Sequence, residues 1–187
     1  MGSRFRSFVL ITHRWLGLTS SVVLSIVGLT GAILIWPGTS PLRRVAGPLH
    51  ERLGMGKVGW WLVVVATFIA VLLELGGLVL WWKRKTIAVR IRSGWRQGLF
   101  DLHHAAGILG LPLMLLLAVS GVGMAFVTPT SHPALRRVIF DWHTTRGFPT
   151  PVKLLYTIGT TGFFVQGVTG VVIWWKPRQP RAGASDR

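Results

Sequence analysis

The stretch FVLITHRWLGLTSSVVLSIVGLTGAILIW, Phe8 to Trp36, is an apolar run opened by His13, Arg14, Trp15, Leu16 and Gly17 and carrying Thr30-Gly31 near its far end. It returns in altered form later in the chain, where His103 is followed by Gly107 and then by Ser120-Gly121. The separation from histidine to second glycine is 18 residues in both copies. On a helix that step is about five turns, which places His13 and Gly31 on one face, roughly 27 Å apart along the axis.

The rest of the composition agrees with a membrane setting. Of 187 residues, 50% are hydrophobic and only 14% charged, too apolar for an ordinary soluble domain and long enough for several spans. Cysteine is absent, which removes disulfides, iron–sulfur clusters and covalent haem attachment through thioethers. The net charge of +16 would point to nucleic acid in a soluble protein, but here the basic residues sit between apolar runs, where topology signals lie. No nucleic-acid partner is expected. The first run follows Arg4 and Arg6 as a signal peptide would, yet it is too long and lacks a small-residue cleavage pattern, so it reads as retained.

Four runs reach the ~20 residues that a helix needs to cross a hydrocarbon core: Trp15 to Trp36, Val58 to Trp82, Ala105 to Val127 and Val152 to Trp175. Four spans put both termini on one side. That side would carry thirteen basic residues (Arg4, Arg6, Arg14; Lys83, Arg84, Lys85, Arg90, Arg92, Arg96; Lys176, Arg178, Arg181, Arg187) against eight in the other two loops. The positive-inside rule then makes the termini cytoplasmic. Trp60-Trp61, Trp81-Trp82 and Trp174-Trp175 read as interface anchors, and residues 177–187 as a disordered tail.

The repetition extends past the first run. At an offset of 93, Leu42-Arg43-Arg44-Val45 returns as Leu135-Arg136-Arg137-Val138, His50 as His143, Gly54 as Gly147, Gly77 as Gly170, and Trp81-Trp82-Lys83 as Trp174-Trp175-Lys176. The expectation is one all-α membrane domain over residues 1–187, a four-transmembrane-helix bundle of two parallel helix–loop–helix repeats, 8–83 and 99–176. A ligand shared by the halves would lie near the axis relating them.

The repeat also sorts the histidines. His13 matches His103 at the inner ends of the first and third spans, and His50 matches His143 on the outer side. His104 and His132 have no counterpart. One histidine near an interface is more often solvated or hydrogen-bonded than ligating. Four related ones at two depths point to iron, copper or zinc, and facing histidines on different helices are how bundles build internal sites. Gly17, Gly54, Gly107 and Gly147, each four residues after one of these histidines, would leave a flat gap that suits a porphyrin plane better than a bare ion. Gly31 and Gly121 would give clearance at the outer level, or close helix packing. The pairs Arg43-Arg44 and Arg136-Arg137 are candidate partners for haem propionates or lipid headgroups, and Arg14 could serve at the inner level. Glu74 is the single carboxylate deep in a span, a candidate for proton transfer or for a structural hydrogen bond. Asp101 and Asp141 precede histidines by two residues, a spacing that turns them to other faces.

The His13-Arg14-Trp15-Leu16-Gly17 segment with its later Thr30-Gly31, the Leu102-His103 opening of the third span, and the closing Thr169 to Lys176 (TGVVIWWK) resemble the PepSY-associated transmembrane family. Members include inner-membrane ferric-siderophore reductases with b-type haem between their helices. The resemblance implies His13, His103 and His143 as ligands, with His50 resting more on the internal repeat. It also implies a bacterial inner-membrane location and a ferric chelate as acceptor. Larger members carry a soluble PepSY domain between the first two spans, where this chain has about twenty residues. This chain would do without that domain's contacts or obtain them from a separate subunit, and a periplasmic or cytoplasmic redox subunit is a candidate partner. The expected function is a di-haem cytochrome with two bis-His haem b groups, His13 with His103 and His50 with His143, relaying electrons across the membrane and without a catalytic side chain of its own. The alternative is a non-redox anchor or transport subunit whose histidines bind a metal ion or are structural.

Overall fold

The computed structural model describes residues 2–82 and 94–175. The expected disordered tail and the basic residues Lys83, Arg84, Lys85, Arg90, Arg92, Lys176, Arg178, Arg181 and Arg187 lie outside the described residues. Six helices follow one another: α1 (Ser3–Leu34), α2 (Pro41–Arg52), α3 (Gly56–Trp82), α4 (Trp95–Phe126), α5 (Pro133–Thr144) and α6 (Thr150–Trp175). No strand occurs among the described residues. Helices α1, α3, α4 and α6 are each long and apolar enough to cross a membrane. Their outward faces invert those of a soluble protein: Val22, Leu109 and Ile158 are 69%, 71% and 70% exposed, a cost in water and a match for lipid. The protein is an all-α, multi-pass membrane protein in contact with the bilayer.

Two sequence expectations need correction. The first and third spans begin well upstream of Trp15 and Ala105, because hydropathy registers only the apolar part of a helix. The backbone stays helical through Arg4, Arg6, Gln97 and Asp101, so His13 lies ten residues inside α1 rather than at its start. The outer connections are also not simple loops. Each holds a 12-residue helix with proline in its first turn, where the missing N–H costs nothing. In α2 the Ser40 side chain accepts from the Arg43 N–H at 3.3 Å. Left-handed residues end both helices, Leu53 (φ 50°) and then Gly54 (φ 70°) in one, Thr145 (φ 56°) and then Gly147 (φ 78°) in the other. The order long, short, long thus occurs twice, with lengths of 32, 12 and 27 residues and then 32, 12 and 26.

Helix α1 packs on α3 and α6, and α4 packs on the same two, so α1 and α4 stand diagonally across the bundle. Lipid tails are as apolar as leucine, so association rests on close approach of small residues rather than on expulsion of water. At mid-depth Leu24, Ala66, Ala70 and Ala118 form the buried centre. A second cluster of Ile35, Leu117 and Tyr156 lies toward the outer end. A Cβ on Gly28 would stand 2.6 Å from the Thr160 carbonyl oxygen, and one on Gly167 would stand 3.1 Å from the Ser21 carbonyl oxygen, so α1 and α6 approach backbone to backbone at both places. The buried Ser20 and Thr160 hydroxyls are satisfied within their own helices, by the Leu16 and Tyr156 carbonyls, whereas the Tyr156 hydroxyl has no partner among the described residues.

Arg43 and Arg136 anchor the short helices. Arg43 Nη1 donates to the Leu34 and Trp36 carbonyls at 2.7 and 2.5 Å, and Arg136 Nη1 to the Met124 carbonyl at 2.6 Å. Each cation thereby satisfies carbonyls near the C-terminal end of the preceding long helix, where the helix dipole also favours positive charge. An Arg136→Ala variant is expected to lose roughly 1–3 kcal/mol, read as a lower melting temperature in detergent. Arg137→Ala should change little, since its ion pair with Asp141 spans 3.9 Å at an exposed side chain.

Candidate functional site

The two histidine levels differ in how their rings are seated. At the inner level His13 leans from α1 onto α3, where a Cβ on Gly77 would meet its Cε1 at 3.6 Å. His103 leans from α4 onto α6, where a Cβ on Gly170 would meet its Cε1 at 3.4 Å. His13 and His103 lie within electrostatic reach of each other. At the outer level His50 lies over Gly31 of α1, with Cε1 3.1 Å from a notional Cβ. His143 lies over Gly121 of α4, with Cε1 3.4 Å from one. The His50 and His143 ring centroids are 6.1 Å apart, tilted by 47°.

The expected roles of the glycines change accordingly. Gly31 and Gly121 do not leave open clearance, because the outer imidazoles occupy it. Gly17 has only Leu73 near it and Gly107 lies beside the Gln166 amide, so neither faces a histidine ring. Gly54 and Gly147 fall past the ends of α2 and α5 and form left-handed turns rather than a gap one turn from their histidines. The glycines under the inner rings, Gly77 and Gly170, are a repeat pair that the sequence displays without revealing its role.

A backbone carbonyl at Nδ1 fixes the tautomer of one of the four rings, and hydroxyls at Nδ1 favour the same tautomer in two more. His50 Nδ1 lies 2.9 Å from the Val27 carbonyl oxygen, which can only accept, so Nδ1 carries the hydrogen. Thr30 Oγ1, 3.3 Å away, spends its own proton on the Ile26 carbonyl and accepts here as well. His143 Nδ1 lies 2.9 Å from Ser120 Oγ, whose proton goes to the Leu117 carbonyl. His103 Nδ1 lies 2.8 Å from Thr169 Oγ1, whose proton goes to the Val165 carbonyl. In each ring Nε2 is left with its lone pair, the form that binds a metal, with the other nitrogen held as metal-ligating histidines require. Burial holds the outer rings uncharged: it lowers His50 against the opposing effects of the Val27 carbonyl and Glu51, and burial beside His50 pushes His143 down to about 4.

The other expected residues fall outside these rings. Arg43 and Arg136 are engaged with helix-end carbonyls, while Arg44 and Arg137 are exposed beside them. The Arg14 guanidinium lies 5.9 Å from the centroids of both Trp15 and Trp174. Glu74 stands on α3 three residues before Gly77, at the inner level. Asp101 is buried and accepts from Gln97 Nε2 at 2.7 Å. His104 stacks on Phe100, and His132 is an exposed residue before α5.

The donor set can be tested against haem. Two imidazoles bound through Nε2 to one iron, with bonds of about 2 Å, hold their centroids about 6 Å apart, which the outer pair matches. Among the described residues no three or more His, Cys, Asp or Glu converge as a bare ion would need. A pair of neutral imidazoles suits an iron whose other positions a macrocycle fills.

Fold and spans define a four-span helical membrane protein in which His50 and His143 pair at one depth and His13 and His103 stand at another. Residues 36–136, more than half of the chain, match the family model of the PepSY-associated TM region, and the chain belongs to that family. His50 and His103 lie inside the matched segment, His13 and His143 outside it. No curated protein and no solved structure matches the chain.

Proposed function

We propose that the chain is a di-haem b-type membrane cytochrome that relays electrons across a bacterial inner membrane, with both termini cytoplasmic. His13 and His103 would hold the inner haem, and His50 and His143 the outer one, each through a neutral imidazole. When bound, haem supplies a one-electron ferric–ferrous couple. With two histidines on each iron no position would stay open, so the group would serve electron transfer rather than oxygen binding. By resemblance to ferric-siderophore reductases, the acceptor at the outer level is a ferric chelate, and the donor is a separate redox subunit. The observation that carries this reading is the His50–His143 pair, 6.1 Å apart, with both Nδ1 atoms tied to oxygen acceptors.

The residues do the rest. Hydroxyls and carbonyls at Nδ1 keep Nε2 bare, Gly31 and Gly121 let the outer rings lie against the helices, and Arg43 and Arg136 hold α2 and α5 in place. The test is a dithionite-reduced absorbance spectrum of the protein purified from haem-replete cells, with haem quantified per chain. A b-type spectrum at two haems per chain is expected. Absence of any haem signal overturns the reading.

A further inference from the structure

We propose that the inner histidines are built unequal, with Thr169 a positioning residue that strengthens His103 as a ligand and Gly76 the place where the matching acceptor for His13 is missing. The inference rests on the haem reading and goes beyond it. Three of the four histidines have an Nδ1 acceptor of good geometry: Val27 and Thr30 for His50, Ser120 for His143, Thr169 for His103. His13 does not. Among the described residues its Nδ1 is buried without a hydrogen-bond partner of good geometry, and only the Leu73 carbonyl of α3 lies close enough to attract it.

The offset of 93 that relates Gly77 to Gly170 relates Gly76 to Thr169. Where one half has a hydroxyl against the imidazole, the other has a hydrogen atom. The space is nonetheless present. A Cβ on Gly76 would lie 3.5 Å from His13 Nδ1 and 3.7 Å from Val9 Cγ1, both ordinary contacts. A hydroxyl one bond further out would be within reach of Nδ1.

An acceptor at Nδ1 acts in two ways: it excludes the tautomer that protonates Nε2, and it raises the basicity of the ligating nitrogen. Stronger donation stabilises ferric over ferrous iron. His13 has only the poorly aligned Leu73 carbonyl in that role, so the inner site is held firmly from α4 and more weakly from α1. This also makes the inner site adjustable from α3 without changing a ligand.

The test is a redox titration of the purified, haem-loaded protein with and without two substitutions. Thr169→Val keeps the volume and removes the acceptor. It is expected to raise the inner midpoint potential and to weaken inner haem binding by ~10-fold or more. Gly76→Ser adds an acceptor at His13 and should lower the same potential while both haems are retained. The outer potential should stay where it was in both variants. If both haems bind and neither variant moves a potential, or if Gly76→Ser raises it, the inequality of the inner pair is overturned and the haem reading stands. A parent chain that takes up no haem overturns both. Gly76→Ser decides the matter even where Thr169→Val fails to fold.

Discussion

A His143→Ala variant is expected to carry one haem per chain in place of two, and a His13→Ala variant likewise, each losing a different one. His143 is a deeply placed ring whose Nδ1 is held by Ser120 and whose centroid is 6.1 Å from that of His50. Alanine there would remove one of the two proposed donors, and the neighbouring Arg136 guanidinium, engaged with the Met124 carbonyl, has no lone pair with which to replace it. The inner pair lies at another depth, roughly 27 Å along α1 by helical rise. The two losses should therefore be independent. Haem per chain and reduced spectra of both single variants and the double variant measure this, with size-exclusion profiles confirming that the bundle persists. A single haem that survives in neither variant, or two that survive in both, would show that the histidine pairs are wrongly assigned.

The second large effect is expected away from the histidines. Gly28→Leu should prevent α1 and α6 from closing, since its Cβ alone would lie 2.6 Å from the Thr160 carbonyl oxygen and 2.9 Å from the Phe163 Cβ. Neither atom sits at the end of a flexible side chain, so relief requires the helices to move apart. Overpacking of this kind costs about 3 kcal/mol, a fall in melting temperature of roughly 10 °C. Because Thr160 Cγ2 also lies against the Gly31 position beside His50, the outer haem should be lost together with stability. Gly47→Leu, on α2 with open space around its Cβ position, is the control and should leave the melting temperature nearly unchanged. Equal melting temperatures for the two variants would refute close α1–α6 packing at this level.

Some features were legible from local rules alone. A helix places residues 18 apart on one face, so His13 and Gly31 share a side of α1 whatever packs against it. Spans follow from apolar length, because the bilayer demands it. The same rules misplaced the starts of α1 and α4, since a basic or polar turn lowers hydropathy without breaking a helix. They also missed α2 and α5, short basic helices that look like loops when only apolar length is counted.

What touches what across helices was not readable in the chain. That His50 covers Gly31, that His13 rests on Gly77 while Gly76 gives it no hydroxyl, and that Arg43 and Arg136 hold helix ends all depend on distances between separate backbones. The sequence by itself determined the four spans and the histidines in matched positions. Only the tertiary structure decided that His50 meets His143, that Thr30, Ser120 and Thr169 hold three of the rings through Nδ1, and that α1 and α4 stand diagonally across the bundle. The reason is physical: periodicity sets the direction of a side chain about its own axis, whereas its partner is set by which small residues let the neighbouring helices approach.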